Sequence, residues 1–302
     1  MSRGRAKTNG EPLMRIVHPS DFSQSSRVAF CHALKIAIES GAELEIVHVQ
    51  RHRIGHEKDV YEKDVHWSDF PGIRATLERW KILPAGARVD EVAKTGLRVR
   101  KILHAESDPL DALARYCEKH PPDLLVLATG QREGLSRWIH KAVAEPLARR
   151  SRAMTLFVPA QGRGFVSPAN GAVALRRILI PVDHRPHAQA ALEEAFFFAS
   201  GFDRRGVIFK LLHVGTDDGM PSLYLPHRPG WAWEERLVPG DPVERILKEA
   251  ADWSPDLIVM ATQGHLDFLD ALRGSTAEQV LRGAPCAVLA VPAKQQVAEK
   301  DS

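Results

Sequence analysis

Residues 256 to 278 read DLIVMATQGHLDFLDALRGSTAE and contain the signals that decide the fold. The run Asp256 to Ala261 is short, apolar and rich in β-formers, which predicts a strand buried on both faces of a parallel sheet. After a glycine-containing loop, Ser275 and Glu278 have the spacing of a capping box, which predicts the start of a helix. Free backbone N–H groups and the positive end of a helix dipole therefore lie beyond a strand's carboxyl end, where anions bind.

The same stretch resembles the universal stress protein (UspA-type) family, whose nucleotide-binding members carry G-x2-G-x9-G-[S/T] between their fourth strand and fourth helix. The second glycine of that motif falls on Gly264, and Gly274-Ser275 closes it. The first glycine is replaced by Ala261, whose Cβ stands where the backbone approaches a ligand. The resemblance implies a protein that binds an adenine nucleotide, ATP or its products.

The composition narrows the class of protein. The chain has 302 residues, of which 44% are hydrophobic and 26% charged, so it can bury two cores of ordinary domain size. Its 41 basic and 38 acidic residues are interspersed, which argues against nucleic acid or an anionic membrane as partner. Apolar stretches are too short to span a membrane, and residues 1–13 lack the apolar core of a signal peptide. The spacing of Cys31, Cys117 and Cys286 predicts buried thiols in a reducing compartment, so we expect a cytoplasmic protein.

Two parts of the chain repeat one plan. Arg15 to Asp21 reads RIVHPSD and Arg177 to Asp183 reads RILIPVD, and an amphipathic helix is predicted after each. Later landmarks also correspond in pairs: His48 and His213, Asp108-Pro109 and Asp241-Pro242, Asp123–Thr129 and Asp256–Thr262, Ala144-Glu145 and Ala277-Glu278. This duplication predicts an α/β fold of two tandem Rossmann-like, doubly wound units with helices on both faces of a parallel sheet. The resemblance implies five strands per unit, in the order 3-2-1-4-5.

The expected domain boundaries follow from these landmarks. They are a flexible tail over 1–13, a first domain over 14–160 with an insertion at about 51–100, a linker over 161–174, a second domain over 175–293 and a tail over 294–302. In the insertion, Trp67, Ile73, Leu77 and Trp80 suggest an amphipathic helix that packs on the domain. Trp231 and Trp233 of the second unit are either a lid, a pairing surface or core.

The fifth strands are candidates for pairing between the two units. The apolar runs Met154–Val158 and Ala287–Val291 each precede a proline that ends a strand. Edge pairing of this kind is common in the family that the chain resembles, and it takes the place of a dimer's two edges. A homodimer of the whole chain is left open.

The resemblance also implies which residues contact the nucleotide. Asp183 would accept a hydrogen bond from adenine, although a carboxylate there can also cap the next helix or order its turn. The further candidates are Val214, Met260, Ala261, Gly264, His265, Gly274, Ser275 and Thr276. Gly264 can equally serve only to turn the chain, and Ser275 only to cap a helix. Asp267 and Asp270 put negative charge in the loop, so a polyphosphate there needs a cation such as Mg²⁺.

The first unit departs from the motif. Asp21 matches Asp183, but Gln131 stands where Gly264 is expected, and Lys141-Ala142 replaces Gly274-Ser275. A side chain then occupies the position of close backbone approach, and the hydroxyl of the cap is lost. We therefore expect the first unit to be degenerate for nucleotide binding.

The chain offers no other site that spacing defines. His52 and His56 share a helical face if that segment is helical, but no third ligand is fixed, so we assign no metal site. A G-x4-G-K-[S/T] loop, a nucleophile elbow and a zinc quartet are all missing from the sequence, so we assign no catalytic residue. Three functions stay open: a nucleotide-binding stress or regulatory protein that is not an enzyme, a structural or signalling module with silent crevices, and a slow ATP hydrolase.

Overall fold

A ten-stranded sheet with helices on its faces makes up the described part of the protein. The structure, a computed structural model, describes residues 14–51, 66–129, 143–160, 162–202, 205–216, 219–262 and 276–292. The strands of the first half are β1 (Arg15–Pro19), β2 (Glu43–Arg51), β3 (Arg98–Glu106), β4 (Leu124–Thr129) and β5 (Met154–Pro159). Its helices are α1 (Gln24–Ser40), α2 (Ile73–Arg79), α3 (Val89–Lys94), α4 (Pro109–Lys119) and α5 (Ala144–Ser151).

The second half repeats this order of elements. Its strands are β6 (Arg177–Pro181), β7 (Ile208–Val214), β8 (Ala232–Val238), β9 (Leu257–Thr262) and β10 (Ala287–Pro292). Its helices are α6 (Gln189–Gly201), α7 (Pro242–Trp253) and α8 (Thr276–Gly283).

The strand order across the sheet is β3-β2-β1-β4-β5-β10-β9-β6-β7-β8. Each half therefore has the order 3-2-1-4-5, and all strand pairs within a half are parallel. The predicted fold class, two tandem doubly wound units, is confirmed. In each unit the chain leaves the two central strands toward opposite sides of the sheet, which creates a switch point at their carboxyl ends.

Local sequence explains the main elements. Every residue of β4 except the last is buried, as expected of a strand that helices cover on both faces. Asp108 and Asp241 cap α4 and α7, since each carboxylate accepts the backbone N–H three residues further on, at 3.1 and 3.0 Å. A proline follows each cap at the first helical position. The repeated Asp-Pro pair thus starts the same helix in each half.

The two halves join at their fifth strands. β5 and β10 are antiparallel, with Phe157 opposite Val288 and Leu156 opposite Leu289. Leu156 and Leu289 are completely buried. The pairing leaves no exposed edge at either strand, and the outer strands of the sheet are β3 and β8.

The segment between the halves is packed into the core over the residues described, 162–174. The ring of Phe165 is buried and lies 4.7 Å from His32 of α1 and 5.8 Å from both Phe198 and Phe202 of the second half, between centroids. The backbone N–H of Val166 donates to His32 Nε2 at 3.1 Å. Burial lowers the pKa of His32 to about 4, so the ring is neutral and Nε2 can accept. This segment therefore contacts both units.

The predicted insertion is described from residue 66 onward and differs from the expectation at one tryptophan. The helix α2 does bury Leu77, and Trp80 at its end is buried and donates from Nε1 to Pro168 O at 3.2 Å. Trp67, however, precedes α2 and is 60% exposed, so its assignment to the packed helical face is wrong. His52 and His56 lie outside the described residues.

Candidate functional site

The carboxyl ends of β6, β7 and β9 meet at the switch point of the second half. The register pairs Pro181 of β6 with Leu212 of β7, and Leu179 of β6 with Ile258 of β9. Continued by a few residues, this register brings Asp183 level with Val214 and Thr262. The structure thus places the candidate carboxylate at the edge of the sheet where open α/β proteins bind their ligands.

Asp183 is exposed at this edge. Its Oδ1 accepts the backbone N–H of the next residue, His184, at 2.7 Å. The helix that follows begins only at Gln189, and no side chain caps it. Asp183 therefore orders its own turn and does not cap α6. Among the described residues its carboxylate makes this one hydrogen bond, which leaves acceptor capacity for a ligand.

The backbone of Val214 faces the same crevice. Val182 N–H donates to Leu212 O on the β6 side, while Gly215 N–H donates to Val238 O on the β8 side. Because peptide groups along a parallel strand alternate between its two neighbours, the N–H and C=O of Val214 point toward β6. β6 ends at Pro181 and Val182 still donates to Leu212 O, so these groups lie beyond that bond, on the side where Asp183 follows.

His213 supports this part of the crevice from below. The ring is buried, and its Nδ1 donates to Val182 O at 3.0 Å. A Cβ added to Gly215 or Gly219 would come within 2.6 or 2.8 Å of His213 Nε2, so only glycine allows the backbone to pass so closely at both positions. The repeat with His48 was visible in the sequence, but the need for these two glycines was not.

The remaining candidates divide into two groups. Met260 is buried and Ala261 is half-buried on β9, and both lie opposite residues of β10. Thr276 is the first residue of α8 and is half-buried. Gly264, His265, Gly274 and Ser275 lie outside the described residues, as do the first-half counterparts Gln131, Lys141 and Ala142.

The connection from β7 to β8 borders the crevice beside α6. The side chain of Gln189 binds both backbone groups of Tyr224, accepting its N–H at 2.9 Å and donating to its C=O at 3.2 Å. Further along, Trp233 Nε1 donates to Pro226 O at 2.9 Å. Trp231 is buried, and Trp233 stacks on Phe209 at 4.3 Å between centroids. The two tryptophans were expected to be a lid, a pairing surface or part of the core, and the structure supports the last of these.

The first half has the same carboxylate but different surroundings. Asp21 Oδ1 accepts the N–H of Ser23 at 3.0 Å, and Ser23 caps α1 by accepting Ser26 N–H at 3.1 Å. The ring of Phe22 stacks on His48 at 4.1 Å and contacts Phe70 edge-on at 5.1 Å, between centroids. Aromatic side chains of the protein thus lie next to Asp21.

Beneath Phe22 runs a buried chain of hydrogen bonds. His18 Nδ1 donates to Val126 O at 2.9 Å, so its Nε2 accepts from the hydroxyl of Ser26 at 3.3 Å. Ser20 and Ser26 are joined through their hydroxyls at 2.9 Å. Burial lowers the pKa of His18 to about 4, which outweighs the opposing effects of the Val126 carbonyl and Asp21.

Other chemistry is limited among the residues that the structure describes. They include no cluster of three or more His, Cys, Asp or Glu side chains that could hold a metal ion. Within the same residues, no helix combines the length and apolar character needed to cross a membrane. The three thiols are buried, and burial raises the pKa of Cys31 to about 11 and those of Cys117 and Cys286 to about 12.

The fold and the two crevices define a tandem doubly wound α/β protein with one switch point in each unit. Residues 12–159 and 228–292 match the model of the universal stress protein family, and the chain belongs to that family. The second matched segment begins after β6 and β7, so Asp183 and Val214 lie outside it and are placed by the strand register.

Known proteins resemble the chain in sequence and in fold. A universal stress protein of Methanocaldococcus jannaschii is 26% identical over 40% of this chain and 85% of that protein. The crystal structure of a universal stress protein from Archaeoglobus fulgidus superposes with a TM-score of 0.60, at 18% identity, over 93% of this chain and 97% of the other. A functionally unknown protein from Pseudomonas aeruginosa superposes with a TM-score of 0.58, at 16% identity, over 93% of both chains.

Proposed function

We propose that this universal stress protein binds one adenine nucleotide in the crevice of its second half and acts as a regulatory protein of the stress response. The observation that carries the proposal is the pair formed by Asp183 and Val214. An exposed carboxylate with spare acceptor capacity lies level with the backbone N–H and C=O of Val214, which point toward the β6 side at the switch point. Together these groups match the hydrogen-bonding edge of adenine, whose exocyclic amine donates and whose ring nitrogens accept.

The proposed phosphate-binding part of the site is inferred from the sequence. Gly264 and Gly274-Ser275 keep the family's spacing just before Thr276, the first residue of α8. A phosphate placed there would meet free N–H groups at the helix start. Asp267 and Asp270 repel phosphate, so we expect ATP to bind together with Mg²⁺.

We propose a binding protein and not an enzyme, and the state of several potential catalytic groups among the described residues supports this. The thiols are buried with raised pKa values, and His18 and His32 are buried and neutral. The compartment that keeps such thiols reduced is the cytoplasm, where we place the protein. Slow hydrolysis of bound ATP stays an alternative that the release of ADP would reveal.

A second candidate function is a scaffold in which both crevices are empty of nucleotide. Ala261 favours it, because its Cβ stands where the family motif has glycine at the end of β9. The aromatic side chains next to Asp21 favour it for the first half.

The test is the nucleotide content of protein purified without added ligand. Bound molecules are released by denaturation and separated by ion-pair chromatography, for the native chain and for the double variant Gly274→Lys with Ser275→Ala. This variant gives the second half the basic and small side chains that Lys141 and Ala142 supply in the first. We expect about one adenine nucleotide per native chain and a loss of most of it in the variant. A native protein that carries none and binds no ATP in calorimetry would leave the scaffold function.

A further inference from the structure

The first half carries an aromatic cluster at the place that corresponds to the proposed adenine site of the second half. It consists of Phe22, His48 and Phe70, which come from the loop after β1, from β2 and from the connection between β2 and β3. The Phe22 ring lies nearly parallel to the His48 ring, at 19°, while Phe70 is buried and meets Phe22 edge-on. Lys101 Nζ lies 5.7 Å from the centre of the Phe70 ring, a cation–π distance.

Phe22 is held in this place by an unusual backbone conformation. Its φ is +61°, in the left-handed region that side chains other than glycine and asparagine rarely adopt. The buried chain of hydrogen bonds beneath it compensates, since Phe22 N–H donates to Ser20 Oγ at 3.3 Å and Ser20 leads through Ser26 to His18. His48 adds a second restraint, because its Nδ1 donates to Ser20 O at 2.6 Å. Strain that a local network maintains in this way is typical of functional positions.

The second half has neither a phenylalanine at the position of Phe22 nor the hydrogen-bond network that lies beneath it. His184 stands at the position of Phe22 and is exposed, while Ile180 and Val182 replace His18 and Ser20. The connection between the second and third strands brings the backbone of Gly219 against His213, where the first half brings the ring of Phe70 against His48. In the described residues, the two crevices therefore differ in the side chains that lie beside the aspartate that follows the first strand of each unit.

We propose that Phe22 and Phe70 form an internal plug. The plug occupies the position in the first crevice that corresponds to the adenine site of the second. The residue that follows the aspartate then decides whether a unit accepts a planar nitrogen heterocycle: Phe22 excludes it and His184 admits it. This inference rests on the proposed function in one respect: the adenine position in the first crevice is inferred from the proposed adenine site at Asp183 and Val214. The first unit also lacks the glycine and serine that correspond to Gly264 and Ser275. The plug acts independently of that loss, because it blocks the adenine part of a ligand and not the phosphate.

The experiment uses photolabelling with 8-azidoadenosine, which has no phosphate and so does not depend on the glycine motif. Full-length native protein and Phe22→Gly are irradiated with the probe, and labelled peptides are assigned to either half by mass spectrometry. Glycine suits the left-handed backbone at position 22, and Phe22→Asn serves as a second variant that also tolerates it. Phe197→Ala is the matched control, because Phe197 is 63% exposed on α6, away from the first crevice.

We expect native protein and Phe197→Ala to be labelled in the second half alone. Phe22→Gly should gain labelling of first-half peptides by roughly tenfold or more, and excess adenosine should suppress it. Folded Phe22→Gly and Phe22→Asn that gain no first-half label would overturn the plug, as would native protein labelled equally in both halves. Failure of the proposed function is separate, because it would show as an unlabelled second half in every variant.

Discussion

Glu45 and Lys210 occupy equivalent places on the second strands of the two units and carry opposite charges, and both are buried. Glu45 accepts hydrogen bonds from Tyr116 at 2.6 Å and from Arg100 at 2.9 Å. Lys210 donates to Glu249, the counterpart of Tyr116, at 3.0 Å. Duplication thus preserved a buried polar link between strand and helix while the charge of the strand residue was inverted.

Removing the charge of Lys210 should destabilise the protein strongly. Among the described residues, Lys210→Met leaves the exposed Arg236 as the remaining partner of buried Glu249, with Arg236 Nε 3.2 Å from Glu249 Oε2. Loss of one partner of a buried pair typically costs about 3 kcal/mol, so the urea midpoint should fall. Lys248→Met is the matched control, because Lys248 and Asp252 form an exposed pair at 2.8 Å that is worth at most about 0.5 kcal/mol. Equal effects of the two substitutions would show that the buried pair does not stabilise the fold.

The segment between the units should contribute to stability as core does. Phe165→Ala removes a buried ring that contacts His32, Phe198 and Phe202, so we expect a loss of about 3 to 4 kcal/mol in the free energy of unfolding. Phe197→Ala, at an exposed position of the neighbouring helix, should change it by less than about 0.5 kcal/mol. A flexible linker would give two small and similar effects in urea denaturation.

His18 should make stability depend on pH below neutrality. Its pKa is lowered from 6.5 to about 4 by burial in the folded state, so the unfolded chain takes up a proton first as the pH falls. Stability is therefore unaffected by this group above pH 6.5 and decreases between about pH 6.5 and pH 4, by about 1.4 kcal/mol per pH unit.

The variant His18→Ile, which copies Ile180 of the second half, should remove that part of the slope. Urea denaturation at several pH values between neutral and pH 4 measures how the free energy of unfolding depends on pH. The dependence that remains in the variant should include the contribution of His32, whose pKa is lowered in the same way as that of His18. Identical slopes in native and variant protein would mean that His18 titrates alike in the folded and unfolded states.

The sequence was sufficient for the parts of the fold that depend on repeated local signals. The apolar runs at Leu124–Thr129 and Leu257–Thr262 became β4 and β9, and the two Asp-Pro pairs became helix starts. Local chain direction also explains why Asp183 and Val214 could be expected at one edge, since Val214 ends β7 and Asp183 follows the end of the parallel strand β6 by two residues.

Other features depend on contacts between residues distant in sequence. The glycine, proline and asparagine of residues 161–174 predict a linker, but Phe165 is buried because rings of both units surround it. A phenylalanine after a strand gives no sign of a left-handed φ, which in Phe22 follows from the network through Ser20 to His18. Trp67 has helical spacing to its neighbours yet precedes α2, because that helix starts only at Ile73.

The measurement that tests the central claim most directly is the calorimetric stoichiometry of Mg²⁺-ATP binding for the native chain, Asp183→Ala and Asp21→Ala. The two aspartates occupy equivalent places, so each variant controls for the other. We predict one site per chain in native protein and in Asp21→Ala, and an affinity lowered roughly tenfold or more in Asp183→Ala, through the loss of a charge-assisted hydrogen bond. Two sites per chain, no site, or a loss of affinity in Asp21→Ala with Asp183→Ala unaffected would contradict the claim.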